Sequence, residues 1–278
     1  MGGGYEPPEE VYGVGFRATE ESAGSESWIT SCRADDGALR VESCRTIADE
    51  FDVDPRREAA VPALTRFVGG VGGGAAVGLD FPFGVPRRIV LDGSWEEFLY
   101  EFPHWFASAA EMRERCTVYA ELVSRGREEL LLRSTDQPLS AISPYDERIA
   151  TETFHGIRDV LRPLVTSGRA VAVPIQEPDP ERPSLLEVYP AGTLDTMSLA
   201  PPGSEPDPEG RDTCRDVIVS RLVDAGVELS DEVRDVVYED DDALLAVVVA
   251  FATYRNTLDA GGIRTADEGH AHEGYIYV

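Results

Sequence analysis

Apolar and polar positions alternate over three short stretches, about 11–17, 27–33 and 38–46, joined by brief polar connections. That spacing predicts an antiparallel strand meander, preceded by a flexible lead at 1–10. Pro55 predicts the first turn of a helix running to about Val68, with Ala59, Ala60, Ala63, Leu64 and Phe67 along one side. A Gly-rich stretch at 69–74 leads into an almost continuous apolar run at 75–81, the pattern of a strand buried on both faces. Helical periodicity fills about 94–165, where Trp95, Phe98, Leu99, Phe102, Trp105 and Phe106 read as packing. Strands at 169–174 and 184–189, acidic Pro-containing loops at 177–183 and 200–210, helices at 211–225 and 239–257, and a last strand at 275–278 complete the pattern. The expected fold is a single α/β domain over 11–278 with a mixed sheet and a helical insertion, about 94–165, after the central strand.

Composition changes the picture in two ways. The 278 residues carry 52 acidic and 25 basic side chains, a net charge of −27, and every basic residue is arginine. An acid excess of this size, with no lysine, fits a halophilic protein working in concentrated salt, where charge repulsion is screened over about 3 Å at 1 M. In dilute buffer the same charge repels nucleic acid. In molar salt that field and the counterion-release gain both shrink, so polyanion binding would rest on local arginines and bridging metal ions. The apolar run at 243–252 is about half the roughly 20 residues that span a bilayer, and no charged-then-apolar leader opens the sequence, so a cytoplasmic protein with no membrane partner is expected.

The four cysteines, Cys32, Cys44, Cys116 and Cys214, show no metal-binding spacing. The turn at 35–37 sets Cys32 opposite Val41 or Arg40, not Cys44, so free thiols are expected.

Gly13, Gly15 and Ala18 match the glycine pattern of dinucleotide-binding folds, but the acidic, turn-like residues that follow would meet a pyrophosphate with like charge. Carboxylates at the ends of apolar runs carry more information. Asp80 closes the buried strand at 75–81, where ligands gather in α/β sheets. Glu187 sits between Leu185 and Tyr189 on one strand face and requires a cation, an arginine or a proton. Asp240 and Asp241 read as helix caps, whereas Asp242 stands nearest the buried turn. His270 and His272 lie in a polar, Gly-rich segment expected to be a solvated loop, and His155 reads as a packed or surface side chain. Carboxylates converging from separate elements are the donor set of hard divalent ions, and two such ions support phosphoryl chemistry.

These blocks occur in order along the chain: 11–16 (VYGVGF), 78–84 (GLDFPFG), 187–191 (EVYPA), 241–244 (DDAL) and 273–278 (EGYIYV). Together they resemble the family called domain of unknown function 429, of RNase H-like predicted nucleases, in a haloarchaeal-type member. The resemblance implies an RNase H-like mixed five-stranded sheet, three strands antiparallel, with helices on both faces. It also implies a Mg²⁺ or Mn²⁺ site held by Asp80, Glu187 and Asp242, with Asp241 beside them. Gly15 stands where the family's first strand carries an aspartate, and Leu245 where its late helix often carries another. The implied activity is a metal-dependent nuclease or phosphodiesterase, impaired at those two positions. The alternative is a catalytically degenerate module binding nucleic acid, nucleotide or a protein partner. In either case Arg17, Arg133 and Arg148 would supply anion contacts.

Overall fold

The structure, a computed structural model, describes residues 6–35, 37–90, 93–202, 208–258, 263 and 270–278. Its meander is β1 (Glu10–Gly15), β2 (Trp28–Asp35) and β3 (Ala38–Thr46), paired antiparallel. Cys32 faces Val41 across a bulge, as the turn spacing requires, and Cys32, Cys44 and Cys116 are free thiols. Beside β1 lie β4 (Ala76–Leu79) and then β6 (Ser184–Val188), both parallel to it. β6 also pairs with β5 (Val171–Ala172) near its start and β8 (Ile276–Tyr277) near its end, and β7 (Val227–Leu229) extends β3. The sheet therefore has eight strands rather than five, in the order β5-β6-β4-β1-β2-β3-β7 with β8 on β6. The strands beyond those five are β5 and β8, which fall within the stretches expected at 169–174 and 275–278 but have only two residues each, and the three-residue β7, of which the pattern gave no sign.

The helices used below are α1 (Arg57–Val68), α2 (Trp95–Trp105), α3 (Ala109–Ser124), α4 (Ala150–His155), α5 (Arg162–Thr166), α6 (Pro190–Thr196), α7 (Pro208–Asp224), α8 (Asp231–Glu239) and α9 (Asp241–Thr257). α1 begins two residues after Pro55, whose carbonyl instead accepts the Gly24 N–H at 2.6 Å. The expected insertion is helical only in part. Residues 125–149, interrupted by Gly126, Pro138 and Pro144, form irregular backbone with one short 3-10 turn at Gln137–Leu139. A π-helical stretch, Gly156–Leu161, joins α4 to α5. The expected helix at 239–257 is two helices, because Asp240 is extended (φ −131°, ψ 124°) and its carboxylate caps α9 through the Asp242 and Ala243 N–H groups.

One face of the sheet is covered by α1, the insertion helices and the π-helical stretch, with Phe16, Phe81, Phe83, Trp95, Phe98 and Phe102 in the core. Against the other lies α9, apolar nearly all round and packed on β1, β2 and β4. A Cβ on Gly13 would fall 2.4 Å from Ala246 O and Ala250 N, so glycine at this position lets α9 approach β1 closely. The glycine pattern at 13–18 therefore serves helix–sheet packing. Among the described residues, no helix is long and apolar enough to cross a membrane.

Candidate functional site

β1, β4 and β6 run parallel and end side by side, so the residues just beyond them share one edge of the sheet. Arg17 follows β1, and Asp80 follows β4 with its N–H on Val14 O at 3.1 Å. Glu187 lies at the end of β6, in register with Leu79 and Ile276. The insertion contributes Arg133, Asp136, Arg148 and Glu152 to the same edge. Together with Tyr189, Pro190 and Leu245 they line a cleft of about 500 Å³. Three of the carboxylates expected from sequence, Asp80, Glu187 and Asp242, thus gather at or beside one cleft.

Each meets a different environment. Half-buried Arg17 donates a short hydrogen bond from Nη2 to Asp242 Oδ1. Burial opposes the Arg17 charge, but Asp242, Asp80 and Glu152 outweigh it and hold the guanidinium above its ordinary range. Asp80 has no ion-pair partner within 4 Å among the described residues. Burial pushes its carboxyl up to about 7; Arg17 counters that, and the charges of Asp242, Glu152 and Glu187 add to it. Burial likewise raises Asp242, with Arg17 opposing.

Glu187 is buried and bonded through both oxygens. Arg133 Nη2 donates to Oε1 at 2.6 Å, Arg133 Nη1 to Oε2 at 2.9 Å, and the Phe83 N–H to Oε2 at 2.8 Å. Arg133, also buried, holds Asp136 through Nη2 at 2.8 Å and the Glu273 carbonyl through Nη1 at 3.1 Å. Burial raises the Glu187 carboxyl, and Arg133 restrains the rise. Arg133 is therefore a clamp between the insertion and β6, not the free anion contact expected of it. Arg148 remains exposed but pairs with Asp146 at 2.8 Å, which keeps that carboxyl down at about 2.

Asp241 turns away from the cleft and accepts from Arg215 Nε of α7 at 2.7 Å. It does not join the other acids. His272 lies in a short helical turn, His270–Glu273, where a solvated loop was expected; its Nδ1 faces Gly93 O at 2.9 Å. His155 is packed and bonded to Asp159 at 2.7 Å. Glu152, Asp136, Tyr189 and Glu273 are the site residues that sequence reasoning did not single out. Asp136 stands three positions after Arg133, a usable pairing signal, whereas Glu152 has none.

Magnesium and manganese call for several oxygen ligands around one point. As placed, these side chains do not fit. Glu187 is engaged by three donors, Asp242 by Arg17, and Asp241 by Arg215. Among the described residues, no three His, Cys, Asp or Glu side chains group so as to hold a metal ion. What the arrangement offers instead is a preformed cleft with a fixed cation, Arg17, among carboxylates, a second arginine at its rim and the half-buried Tyr189 ring.

Comparison of the chain with family models, with curated proteins and with solved structures finds no match.

Proposed function

We propose that this chain is an RNase H-like module that binds a nucleotide unit, free or within a nucleic acid, and does not cut it. The order β3-β2-β1-β4-β6, with the first three strands antiparallel and the last two parallel to β1, supports the RNase H-like part, since the resemblance to domain of unknown function 429 implies the same mixed sheet. The observation that carries the non-cleaving part is Arg17, whose guanidinium bonds Asp242 and lies in the field of Asp80 and Glu152, so that it supplies the positive charge a metal ion would otherwise bring. A cleft of about 500 Å³ is the size of a small-molecule site. Tyr189, Ile142 and Leu245 give a base apolar surface, and Arg17 and Arg148 give a phosphate its donors.

The test is a binding and cleavage screen in molar KCl with Mg²⁺ or Mn²⁺, over mononucleotides and RNA, DNA and branched oligonucleotides. Binding without cleavage is the expected result. Cleavage by the unmodified protein that Asp80→Asn abolishes would establish the second reading, a metal-dependent nuclease. The placement of Asp80, Glu152 and Glu187 in one cleft, with Asp242 close enough to raise the Asp80 carboxyl, favours that reading. Absence of any nucleotide binding would defeat both.

A further inference from the structure

Most of the arginines described above stand beside a carboxylate; a group at the end of α3 does not. α3 ends in left-handed Arg125 (φ 59°), followed by Gly126 (φ 72°). The Ser124 hydroxyl then accepts the N–H groups of Arg127 at 3.1 Å and Glu128 at 3.0 Å, which pins the loop. Arg88, on the short helical turn Arg87–Val90, donates from Nη2 to Val123 O at 3.2 Å and so is held against the same loop. Arg88, Arg125 and Arg127, with Val123, Ser124 and Glu128, wall a recess of about 260 Å³. Among the described residues no carboxylate lies within 4 Å of these three guanidiniums, and Glu128 is the one acid in the wall.

Three exposed guanidiniums, two on the pinned loop and Arg88 held against it, face one small recess and are a local positive charge in a chain of net −27. Exposed arginines need no partner for stability, but three of them around one concavity match the several oxygens of a tetrahedral oxyanion, each fork giving two parallel donors. In molar salt the surrounding negative field is screened beyond about 3 Å, so these nearby charges decide what binds. The recess is also tied to the cleft. Buried Glu273 accepts the Arg87 N–H at 2.6 Å and the Ser134 N–H at 2.8 Å, while its carbonyl accepts from Arg133.

We propose that Arg88, Arg125 and Arg127 form a binding site for a phosphate-type oxyanion, either a free phosphate or the phosphodiester of a nucleic-acid strand. The site stands independently of what the cleft binds. It is tested on the full chain in 1 M KCl, with inorganic phosphate by calorimetry and a labelled single-stranded RNA by anisotropy. The double variant Arg125→Gln/Arg127→Gln is expected to lose at least about tenfold in affinity, the loss of one or two charge-assisted bonds. Glu128→Gln is expected to gain about threefold by removing the opposing charge. Both variants should melt like the wild type, since the changed side chains are exposed. Phosphate binding with these responses assigns the site to a free anion; RNA binding with them, and no phosphate binding, assigns it to the diester. Arg17→Ala separates this site from the cleft, because it should leave recess binding unchanged. Absence of binding by both probes, or equal affinity in wild type and both variants, overturns the proposal.

Discussion

Arg17, two residues past the end of β1, donates to the carboxylate of Asp242 at the start of α9, so residues 225 positions apart are joined at the cleft. Removing that guanidinium in Arg17→Ala leaves half-buried acids facing one another. A loss of about 1 kcal/mol, or ~2–4 °C in Tm, is expected. If the guanidinium stands in for a cation, Mn²⁺ should restore the lost stability in the variant and leave the wild type unchanged. Thermal melts with and without Mn²⁺ decide it. Equal response in the two proteins would show that Arg17 holds no such place.

Gly15 is the second test of the same idea. A Cβ there would meet Asp242 O at 3.5 Å and Ala246 Cβ at 3.6 Å, ordinary contacts, so a side chain fits. Gly15→Asp should therefore fold, and combined with Arg17→Ala it should bind Mn²⁺ more tightly than Arg17→Ala alone. Titration followed by electron paramagnetic resonance measures this; no difference between the two would mean that residue 15 does not face the acids.

Asp80 sets a pH dependence. Its carboxyl is raised from an ordinary 3.8 to about 7, so the folded chain holds this proton more tightly than the unfolded chain. The resulting stability is full below about pH 4 and lost as pH climbs through 7. Asp80→Asn removes that loss. Relative to the wild type it should melt at the same temperature near pH 4 and ~2–4 °C or more higher at pH 8, a shift of at least about 1 kcal/mol. Melting curves from pH 4 to 8 check the sign; a constant offset across that range would contradict it.

The Arg133 clamp is expected to matter more for folding than for binding. Arg133→Met strands Glu187 and Asp136 in the interior and should cost about 3–5 kcal/mol, the usual penalty for breaking a buried pair. Glu187→Gln should cost less, since Arg133 keeps Asp136 and the Glu273 carbonyl. Urea denaturation in molar KCl gives the order, and the reverse order would rule out the clamp as described.

Salt should stabilise the whole chain. With a net charge of −27, raising KCl from 0.1 to 2 M shortens the range of self-repulsion severalfold, and Tm is expected to rise by at least several degrees. A flat or falling Tm would count against adaptation to concentrated salt.

Strands and helices with long, clean periods were legible from the residues, among them β1–β3, β4, β6, the helix at 57–68 and the apolar helix now divided at Asp240. So was the meeting of Asp80, Glu187 and Asp242 near one edge, because each marks the point where an apolar run stops. The partners of those acids were not legible. Glu187 finds Arg133 54 positions earlier and Asp242 finds Arg17 225 positions earlier, pairings made by tertiary packing that leave no local trace. The irregular backbone at 125–149 was equally hidden, since its apolar residues, Leu130 to Leu132 among them, mimic a helical pattern while Gly126 and the prolines break it.

The contact at Gly13 has a consequence for how the cleft receives a ligand. The backbone of β1 lies directly under the Ala246 carbonyl and the Ala250 amide, so the spacing of strand and helix is fixed beside the edge that carries Arg17 and Asp242. On the proposed reading, a nucleotide would therefore meet a wall whose β1–α9 side is already set by packing, and substitutions that widen that spacing would alter which occupants fit.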